Sequence, residues 1–214
     1  ICLSAISEIY EVMKQFDDAL GYYQEALEIR KQLKVAYPEN SVYLRYYSVS
    51  LNQVAGIYEV MKQLDDALGY YQEALEIGKQ LKVAYPENSV YLYDYSVSLY
   101  KVAGIYEAMN QLDDALGYYQ EALEISKQLK NSYPEDSVYL RSYFAPLNKV
   151  AGIYKTMNQL DNALRYYQKA LEISKQLKNT YPENSVYLYN YSVSLNKVAG
   201  IYKTTNQLGD ALKY

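Results

Sequence analysis

Residues 86–133 decide the fold of this chain: PENSVYLYDYSVSLYKVAGIYEAMNQLDDALGYYQEALEISKQLKNSY. Most of the remaining sequence consists of copies of this segment. Proline recurs at positions 38, 86, 134 and 182, and GYYQEALEI begins at Gly21, Gly69 and Gly117 and returns as RYYQKALEI at Arg165. The period is therefore 48 residues. Such a period predicts a solenoid, in which each repeat buries its apolar surface only against its neighbours.

Each repeat is predicted to form two helices, which we call helix A and helix B. Apolar residues spaced by three or four predict that helix A of the second repeat spans about twenty residues from a cap at Asn40 or Ser41. Helix B follows a break at residues 61–63. The two apolar faces are Tyr43, Tyr47, Leu51, Val54, Ala55 and Tyr58 in helix A, and Leu64, Ala67, Leu68, Tyr71, Ala74, Leu75 and Leu81 in helix B.

Two features of helix B and its approach are predicted from residue type. The break contains one repeat position occupied by Lys14, Lys62, Asn110, Asn158 and Asn206. Asparagine tolerates the left-handed conformation that a tight turn between helices often needs. The pair Asp65 and Asp66 falls in the first turn of helix B, where carboxylates stabilise the helix dipole. These pairs therefore have a structural explanation, and we do not interpret them as metal ligands.

Composition excludes several functional classes. The chain has 214 residues, half of them hydrophobic, with 21 basic and 25 acidic side chains. Its net charge of -4 argues against a general affinity for nucleic acid or an anionic membrane. Cys2 is the only cysteine and histidine is absent, so we expect no disulfide, no metal, no cofactor and no enzyme activity. A reducing, cytoplasmic location fits this composition best.

The repeat resembles the tetratricopeptide repeat, whose pattern is W-x2-L-G-x2-Y followed by A-x3-F and a further Ala and Pro. The matching positions of the second repeat are Leu51, Val54, Ala55, Tyr58, Ala67, Tyr71 and Ala74. They recur as Leu99, Val102, Ala103, Tyr106, Ala115, Tyr119 and Ala122, and as Leu147, Val150, Ala151, Tyr154, Ala163, Tyr167 and Ala170. The period is longer than the usual 34 residues, as in kinesin light chain repeats.

The resemblance implies an all-α fold: a right-handed α-solenoid, or superhelix, of antiparallel helix pairs. It also implies a concave groove, lined by the A helices, that binds peptides or protein segments. We expect a single array over residues 1–214, with repeats at 1–37, 38–85, 86–133, 134–181 and 182–214. The first and last repeats are cut inside the pattern, since Ile1 corresponds to Val49 and Tyr214 to Tyr70. Exposed apolar end faces and end-to-end self-association are therefore expected.

Positions that vary between the copies indicate where a ligand could bind. The varying sets are Arg45/Tyr93/Arg141/Tyr189, Tyr46/Asp94/Ser142/Asn190, Asn52/Tyr100/Asn148/Asn196, Gln53/Lys101/Lys149/Lys197, Glu59/Glu107/Lys155/Lys203 and Val60/Ala108/Thr156/Thr204. Spacings of seven place them on one side of helix A. We select as peptide-binding candidates Asn52, Tyr93, Tyr100, Lys101, Arg141, Asn148, Lys149, Tyr189, Asn196 and Lys197. Variation on a merely solvated face is the alternative interpretation.

The charge distribution suggests the chemistry of a partner. Residues 1–107 carry 9 positive and 15 negative side chains, whereas residues 108–214 carry 12 and 10. The sequence therefore favours a protein-interaction scaffold whose C-terminal half prefers acidic peptides. The alternative is a structural spacer or self-assembling arm of a larger signalling protein. Most of the 30 tyrosines occupy repeated core positions and are expected to pack rather than to bind.

Overall fold

The computed structural model describes Ser7 and residues 10–213. Residues 10–12 end a first helical segment, and no strand occurs in the part of the chain that is described. The following helices alternate between the B and A types. They are α1 (Phe16–Ala36), α2 (Ser41–Val60), α3 (Leu64–Ala84), α4 (Ser89–Ala108), α5 (Leu112–Ser132), α6 (Ser137–Thr156), α7 (Leu160–Thr180), α8 (Ser185–Thr204) and α9 (Leu208–Ala211).

The A helices begin where capping residues predict. The Asn40 side chain accepts hydrogen bonds from the backbone N–H groups of Val42 and Tyr43, at 3.0 and 3.2 Å. Such a side chain satisfies N–H groups that have no partner inside the helix. The same bonds are made before the other A helices by Asn88, Asp136 and Asn184. The predicted start of helix A is confirmed.

The turn from helix A to helix B uses a left-handed residue at the predicted position. The φ angles of the five residues lie between 58° and 64°. This conformation reverses the chain within three residues, so that each A helix packs antiparallel to the B helix that follows. The residues are Lys14, Lys62, Asn110, Asn158 and Asn206.

The chain divides into two compact units, residues 1–115 and 116–214, which we call the N-terminal and C-terminal units. In the N-terminal unit, α2 packs on α1 and α3, and α3 packs on α4. Ala55 and Ala67 have no exposed surface, so small side chains allow these helices to approach closely. The apolar core around them includes Tyr47, Leu51, Val54, Ile57, Ala74, Ile77 and Leu81.

The C-terminal unit repeats this packing with the corresponding residues. Helix α6 packs on α7, α7 on α8, and α8 on α9. Its core includes Leu140, Leu147, Ala151, Ala163, Tyr167, Ala170, Leu177 and Val198. Pro146 is buried inside α6, and the helix runs through it from Ser137 to Thr156. The all-α class with paired helices, predicted from the sequence, is confirmed in both units.

Tyrosines connect consecutive repeats by recurring polar contacts. Gln24 donates to the Tyr58 hydroxyl at 3.3 Å, and Gln168 donates to the Tyr202 hydroxyl at 3.1 Å. The Lys34 ammonium lies 4.5 Å from the centre of the Tyr47 ring, a cation–π distance. These contacts support the expectation that most tyrosines have packing roles.

Some expectations stay outside what the structure describes. Ile1, Cys2 and Tyr214 are not among the described residues, so the apolar end faces predicted there lie outside them. The organisation of all repeats as one array also stays a prediction.

Candidate functional site

Variable polar residues of adjacent A helices meet in the N-terminal unit. Helix α2 contributes Arg45, Asn52 and Glu59, which are spaced by seven, and α4 contributes Asp94 and Lys101. Helices α2 and α4 contact each other directly. We call these five residues the N-terminal seam.

The charged side chains of the N-terminal seam neutralise each other. The Arg45 guanidinium Nε lies 2.5 Å from the Asp94 carboxylate, and this hydrogen bond raises the pKa of Arg45. Lys101 Nζ lies 3.8 Å from Glu59 Oε2. Asn52 Nδ2 donates to Ser98 Oγ at 3.3 Å. The seam holds two cations and two anions, so it is formally neutral.

A buried tyrosine of helix α3 completes the N-terminal seam. The Tyr71 hydroxyl donates to Glu59 Oε2 at 2.8 Å, and Lys101 Nζ lies 5.8 Å from the centre of the Tyr71 ring. Burial of the phenol, followed by the charge and hydrogen bond of Glu59, raises the pKa of Tyr71 far above its ordinary value. The Glu59 carboxylate is thus held by a hydroxyl and an ammonium group.

A cavity of about 500 Å³ opens beside this arrangement. Gly56 lies on its wall, and a Cβ at Gly56 would lie 3.7 Å from the Tyr71 hydroxyl. The Asn52 Oδ1 atom is buried and accepts no hydrogen bond from the described residues. The cavity is lined by Glu11, Tyr23, Asn52, Gln53, Gly56, Ile57, Glu59, Val60, Lys62 and Lys101.

The C-terminal unit has the corresponding residues with different charges. Helix α6 contributes Arg141, Asn148 and Lys155, and α8 contributes Asn190 and Lys197. We call these five residues the C-terminal seam. It contains three cations and no anion, because Asn190 and Lys155 stand where the N-terminal seam has Asp94 and Glu59.

Neutral oxygens are the hydrogen-bond partners of two of these cations. Lys197 Nζ donates to Asn148 Oδ1 at 2.8 Å, and Arg141 Nε donates to the Ser137 carbonyl of its own helix at 3.3 Å. Burial, followed by the positive charges of Lys149 and Lys155, lowers the pKa of Lys197. Lys149 and Lys155 therefore destabilise the charged form of Lys197.

Tyr167 corresponds to Tyr71 but lacks its carboxylate partner. Lys197 Nζ lies 5.4 Å from the centre of the Tyr167 ring, and a Cβ at Gly152 would lie 3.9 Å from the hydroxyl. Among the described residues, the Tyr167 hydroxyl makes no hydrogen bond, and its pKa is raised by burial alone. The hydroxyl is thus an available donor beside a lysine.

The structure brings together only some of the candidate residues. Asn52 lies beside Lys101 in the N-terminal seam, and Asn148 contacts Lys197 in the C-terminal seam. Lys149 Nζ lies 5.9 Å from the centre of the Tyr119 ring. The other candidates are Tyr93 and Tyr100, which are half-buried, and Arg141, Tyr189 and Asn196, which are exposed.

Seven residues of the seams and their tyrosines were absent from the candidate set. They are Arg45, Glu59, Asp94, Lys155, Asn190, Tyr71 and Tyr167. The sequence did contain a signal for the five seam residues, since all of them belong to sets that vary between the copies. The tyrosines repeat without change and therefore looked like core residues only.

Metal sites and membrane-spanning helices are two further possibilities. Within the described residues, no group of three or more Cys, Asp or Glu side chains is arranged to hold a metal ion. In the same part of the chain, no helix combines the length and apolar character that crossing a membrane requires.

Models of the tetratricopeptide repeat match four segments of the chain. They match residues 1–33, 49–81, 98–132 and 146–177. No curated protein matches the chain. The segments 49–81, 98–132 and 146–177 each cover part of an A helix and most or all of the B helix that follows it.

Several solved structures have a similar fold. A Podosopora anserina putative kinesin light chain with nearly identical TPR-like repeats has a TM-score of 0.67 at 17% identity, covering 99% of this chain and 89% of that one. The apo form of RapI has a TM-score of 0.72 at 19% identity, covering 99% and 50%. A Rap protein complexed with competence and sporulation factor has a TM-score of 0.63 at 17% identity, covering 98% and 59%. At these identities the likeness concerns the fold.

Proposed function

Because this chain belongs to the tetratricopeptide-repeat family, we propose that it is a non-catalytic scaffold that binds protein or peptide segments along its A helices. The observation that carries this proposal is the pair of polar seams between successive A helices. A seam offers amides, cations and, beside Gly56, a cavity of about 500 Å³. Amide groups can pair with the backbone of an extended segment, and cations can pair with its carboxylates.

A solved relative of similar fold supports a peptide-sized or protein partner. The Rap protein of that structure is complexed with competence and sporulation factor. By analogy, this chain would bind a peptide or protein, and we place that partner along the A helices because the polar seams lie there. A cytoplasmic location is part of the proposal, since a scaffold whose only cysteine is Cys2 needs no oxidising compartment.

We further propose that the C-terminal unit selects acidic segments. Its seam has three cations and no anion, and Lys149 adds a fourth positive charge close enough to Lys197 to lower its pKa. An acidic ligand would relieve this repulsion, whereas a basic ligand would increase it. The N-terminal seam, being neutral, should show little charge preference.

The test uses labelled peptides of alternating glycine and glutamate, with glycine–lysine peptides as the comparison. The double variant Lys149→Glu and Lys197→Glu is expected to weaken binding of the glutamate peptide at least about tenfold, since charged contacts contribute roughly 1.5–3 kcal/mol each. Fluorescence anisotropy at physiological salt measures the affinity.

The matched control is Lys127→Glu with Lys175→Glu. Both lysines are exposed on the B helices α5 and α7 of the same unit, so net charge changes equally while the seam is untouched. Equal losses of glutamate-peptide affinity in the two double variants would reject the seam as the binding surface. If light scattering detects only self-association and neither peptide binds, the spacer or self-assembling arm replaces the scaffold.

A further inference from the structure

The B helices of the N-terminal unit present a second polar surface, formed by residues outside the seams. Helix α3 exposes Asp65, Asp66 and Glu73 around the half-buried ring of Tyr70. A shallow depression of about 330 Å³ lies between these side chains. Its floor includes Gly69, where an added Cβ would meet no other group within 4 Å. The depression thus combines three carboxylates and an aromatic ring with room for an incoming side chain.

A deeper crevice between α1, α2 and α3 adjoins this depression and shares Tyr70 and Glu73 with it. It has a volume of about 370 Å³, and Leu27 contributes to its apolar part. Its lining sets the Lys31 ammonium against the carboxylates of Glu28 and Glu73. A long cationic side chain therefore finds apolar surface for its alkyl part and carboxylates for its charge in the same place.

The ring of Tyr70 lies among negative charges. Tyr58 stacks on it with ring centroids 5.5 Å apart, and no Lys or Arg of the described residues lies over it. Burial raises the pKa of Tyr70 most, and the charges of Asp66 and Glu73 raise it further after the contribution of Tyr58. Glu73 also accepts a hydrogen bond from the Tyr47 hydroxyl at 2.7 Å, which is a neutral donor. These carboxylates therefore act on the Tyr70 phenol without a cation over its ring.

The C-terminal unit supplies such cations from its own chain. Its helix α7 replaces Asp66, Gly69 and Glu73 by Asn162, Arg165 and Lys169. The Arg165 guanidinium lies 5.1 Å and the Lys169 ammonium 5.5 Å from the centre of the Tyr166 ring. Tyr154 stacks on this ring at 5.6 Å, as Tyr58 does on Tyr70. The same stacked tyrosine pair thus carries cations in one unit and none in the other.

We propose that the surface around Tyr70 binds an arginine or lysine side chain of a separate partner protein, with the cation over the ring. Its charge pairs with the carboxylates of Asp65, Asp66 and Glu73. We call these four residues the B-helix cation site. A ring face attracts a cation through its quadrupole, and neighbouring carboxylates add charge pairing.

A basic segment of another protein fits this site better than a second copy of the chain. The cations that a second copy would offer from α7, Arg165 and Lys169, already lie over its own Tyr166. The site is on the B helices, so it is a further binding surface and does not rest on the function proposed for the A helices.

A single side chain is enough to test the site. Nα-acetyl-arginine amide carries a guanidinium group and no carboxylate, and Nα-acetyl-citrulline amide is an uncharged reference of equal length. Each is titrated into the 214-residue chain at constant ionic strength, while NMR follows the labelled ring of Tyr70. The arginine compound is expected to cause a saturable shift and to bind at least about fivefold more tightly than the citrulline compound. Identical responses to the two compounds would overturn the proposal.

Gly69→Arg supplies the cation from the chain itself, as Arg165 does in α7. It should abolish the response of Tyr70 to the arginine compound, because the new side chain fills the site. Gly21→Arg is the matched control, since Gly21 is an exposed glycine of α1 with the same free space and the net charge changes equally. Circular dichroism shows whether both variants keep their helical content. Loss of the response in both variants, or in neither, would contradict the assignment.

Asp66→Asn removes one carboxylate, as Asn162 does in α7. We expect the arginine compound to bind at Tyr70 about twofold to fivefold more weakly, because Asp66 is exposed and solvent screens its charge. Glu87→Gln makes the same change in charge at an exposed residue between α3 and α4. Equal weakening by the two variants would remove Asp66 from the site.

The reciprocal change opens the corresponding position of the C-terminal unit. Arg165→Gly with Lys169→Glu gives α7 the residues that α3 has at those positions. The double variant should acquire a saturable response of the Tyr166 ring to the arginine compound, which the original chain lacks there. A folded double variant whose Tyr166 ring does not respond would show that bound cations do not explain the difference between the units.

A peptide of alternating glycine and arginine with an amidated end represents the partner segment. Its half-saturation at the Tyr70 ring should rise at least about fivefold in Gly69→Arg relative to Gly21→Arg. An unchanged value would reject the site as a surface for basic segments. If light scattering detects self-association that both Gly69→Arg and Arg165→Gly abolish, the occupant is a second copy and the choice of a separate protein is wrong.

Discussion

The two seams of this protein consist of corresponding A-helix residues, but the N-terminal seam is formally neutral and the C-terminal seam is cationic. In the N-terminal seam, Asp94 pairs with Arg45 and Glu59 pairs with Lys101. The C-terminal seam has Asn190 and Lys155 at those two positions. Changes at these two positions therefore turn a neutral surface into a cationic one. The A helices that carry the seams keep the same length.

The surrounding core explains why such changes are tolerated. Leu51 and Leu147 occupy the same repeat position and are 1% and 0% exposed, and Tyr71 and Tyr167 are 0% and 7% exposed. Packing of this kind depends on volume and apolar area, both of which are preserved between the units. The polar seam can therefore vary for binding while the core maintains the fold.

The largest difference between the units is expected in the ionisation of Tyr71 and Tyr167 at alkaline pH. Burial raises the pKa of both Tyr71 and Tyr167, and the Glu59 carboxylate raises that of Tyr71 further, whereas Lys197 lies over the Tyr167 ring. A phenol whose pKa is higher in the folded state stabilises the fold below its unfolded pKa of about 10, and this contribution is lost as pH rises towards the folded pKa. The free energy of unfolding should fall by up to about 1.4 kcal/mol per pH unit for each such tyrosine.

Urea denaturation at pH 9, 10 and 11 measures this loss of stability. NMR of labelled tyrosine rings shows at which pH each tyrosine ionises. Tyr167 should ionise at a lower pH than Tyr71. Simultaneous ionisation of both rings would contradict the electrostatic difference between the seams.

Removing the Tyr71 hydroxyl should lower the free energy of unfolding more than removing the Tyr167 hydroxyl. Tyr71→Phe is expected to lower the free energy of unfolding by about 1–2 kcal/mol, because it removes a hydrogen bond to a carboxylate. Tyr167→Phe should change it by less than about 0.5 kcal/mol in the absence of ligand, since the described residues give that hydroxyl no hydrogen bond. Urea denaturation of both variants at pH 7 measures the difference, and equal losses would show that the Tyr167 hydroxyl is engaged.

The smallest expected effects on stability concern the ion pair between Arg45 and Asp94. Asp94→Asn removes the partner of Arg45 and should destabilise the fold by about 0.5–1 kcal/mol, because the two side chains are 21% and 32% exposed and solvent screens the pair. The reciprocal variant Asn190→Asp supplies a carboxylate opposite Arg141 and should stabilise by a similar or smaller amount. Thermal denaturation of both variants tests the pairing. A destabilised Asn190→Asp variant would mean that Arg141 and Asn190 do not correspond to Arg45 and Asp94 in space.

Much of the fold followed from local chemistry. A cap at Asn40 or Ser41 was predicted, and the structure has it at Asn40. A left-handed residue was predicted at the repeat position of Lys62 and is present there. Helix periodicity placed the break between α2 and α3 at the residues where the structure has it. These features depend on interactions between residues close in sequence, so repetition in the chain makes them easy to identify.

The seams could be predicted only in part. A spacing of seven placed Asn52 and Glu59 on one side of α2, but it did not reveal that Glu59 accepts from Tyr71 twelve residues later. Nor could it separate Asn148 and Lys197, which meet, from Tyr189, which is 68% exposed. Contacts between helices depend on the rotation and offset of each helix relative to its neighbour, which side-chain periodicity does not specify.

The sequence by itself determined the repeat period, the helix pairs, their caps and turns, and the change in charge between the copies. The tertiary structure decided which of those charges meet. It placed Glu59 against Tyr71 and Lys101 in one unit and left Tyr167 beside Lys197 without a carboxylate in the other. The physical reason is that helix formation is driven by local hydrogen bonds and apolar periodicity, whereas electrostatic pairing needs approach within a few ångströms that only the packed helices create.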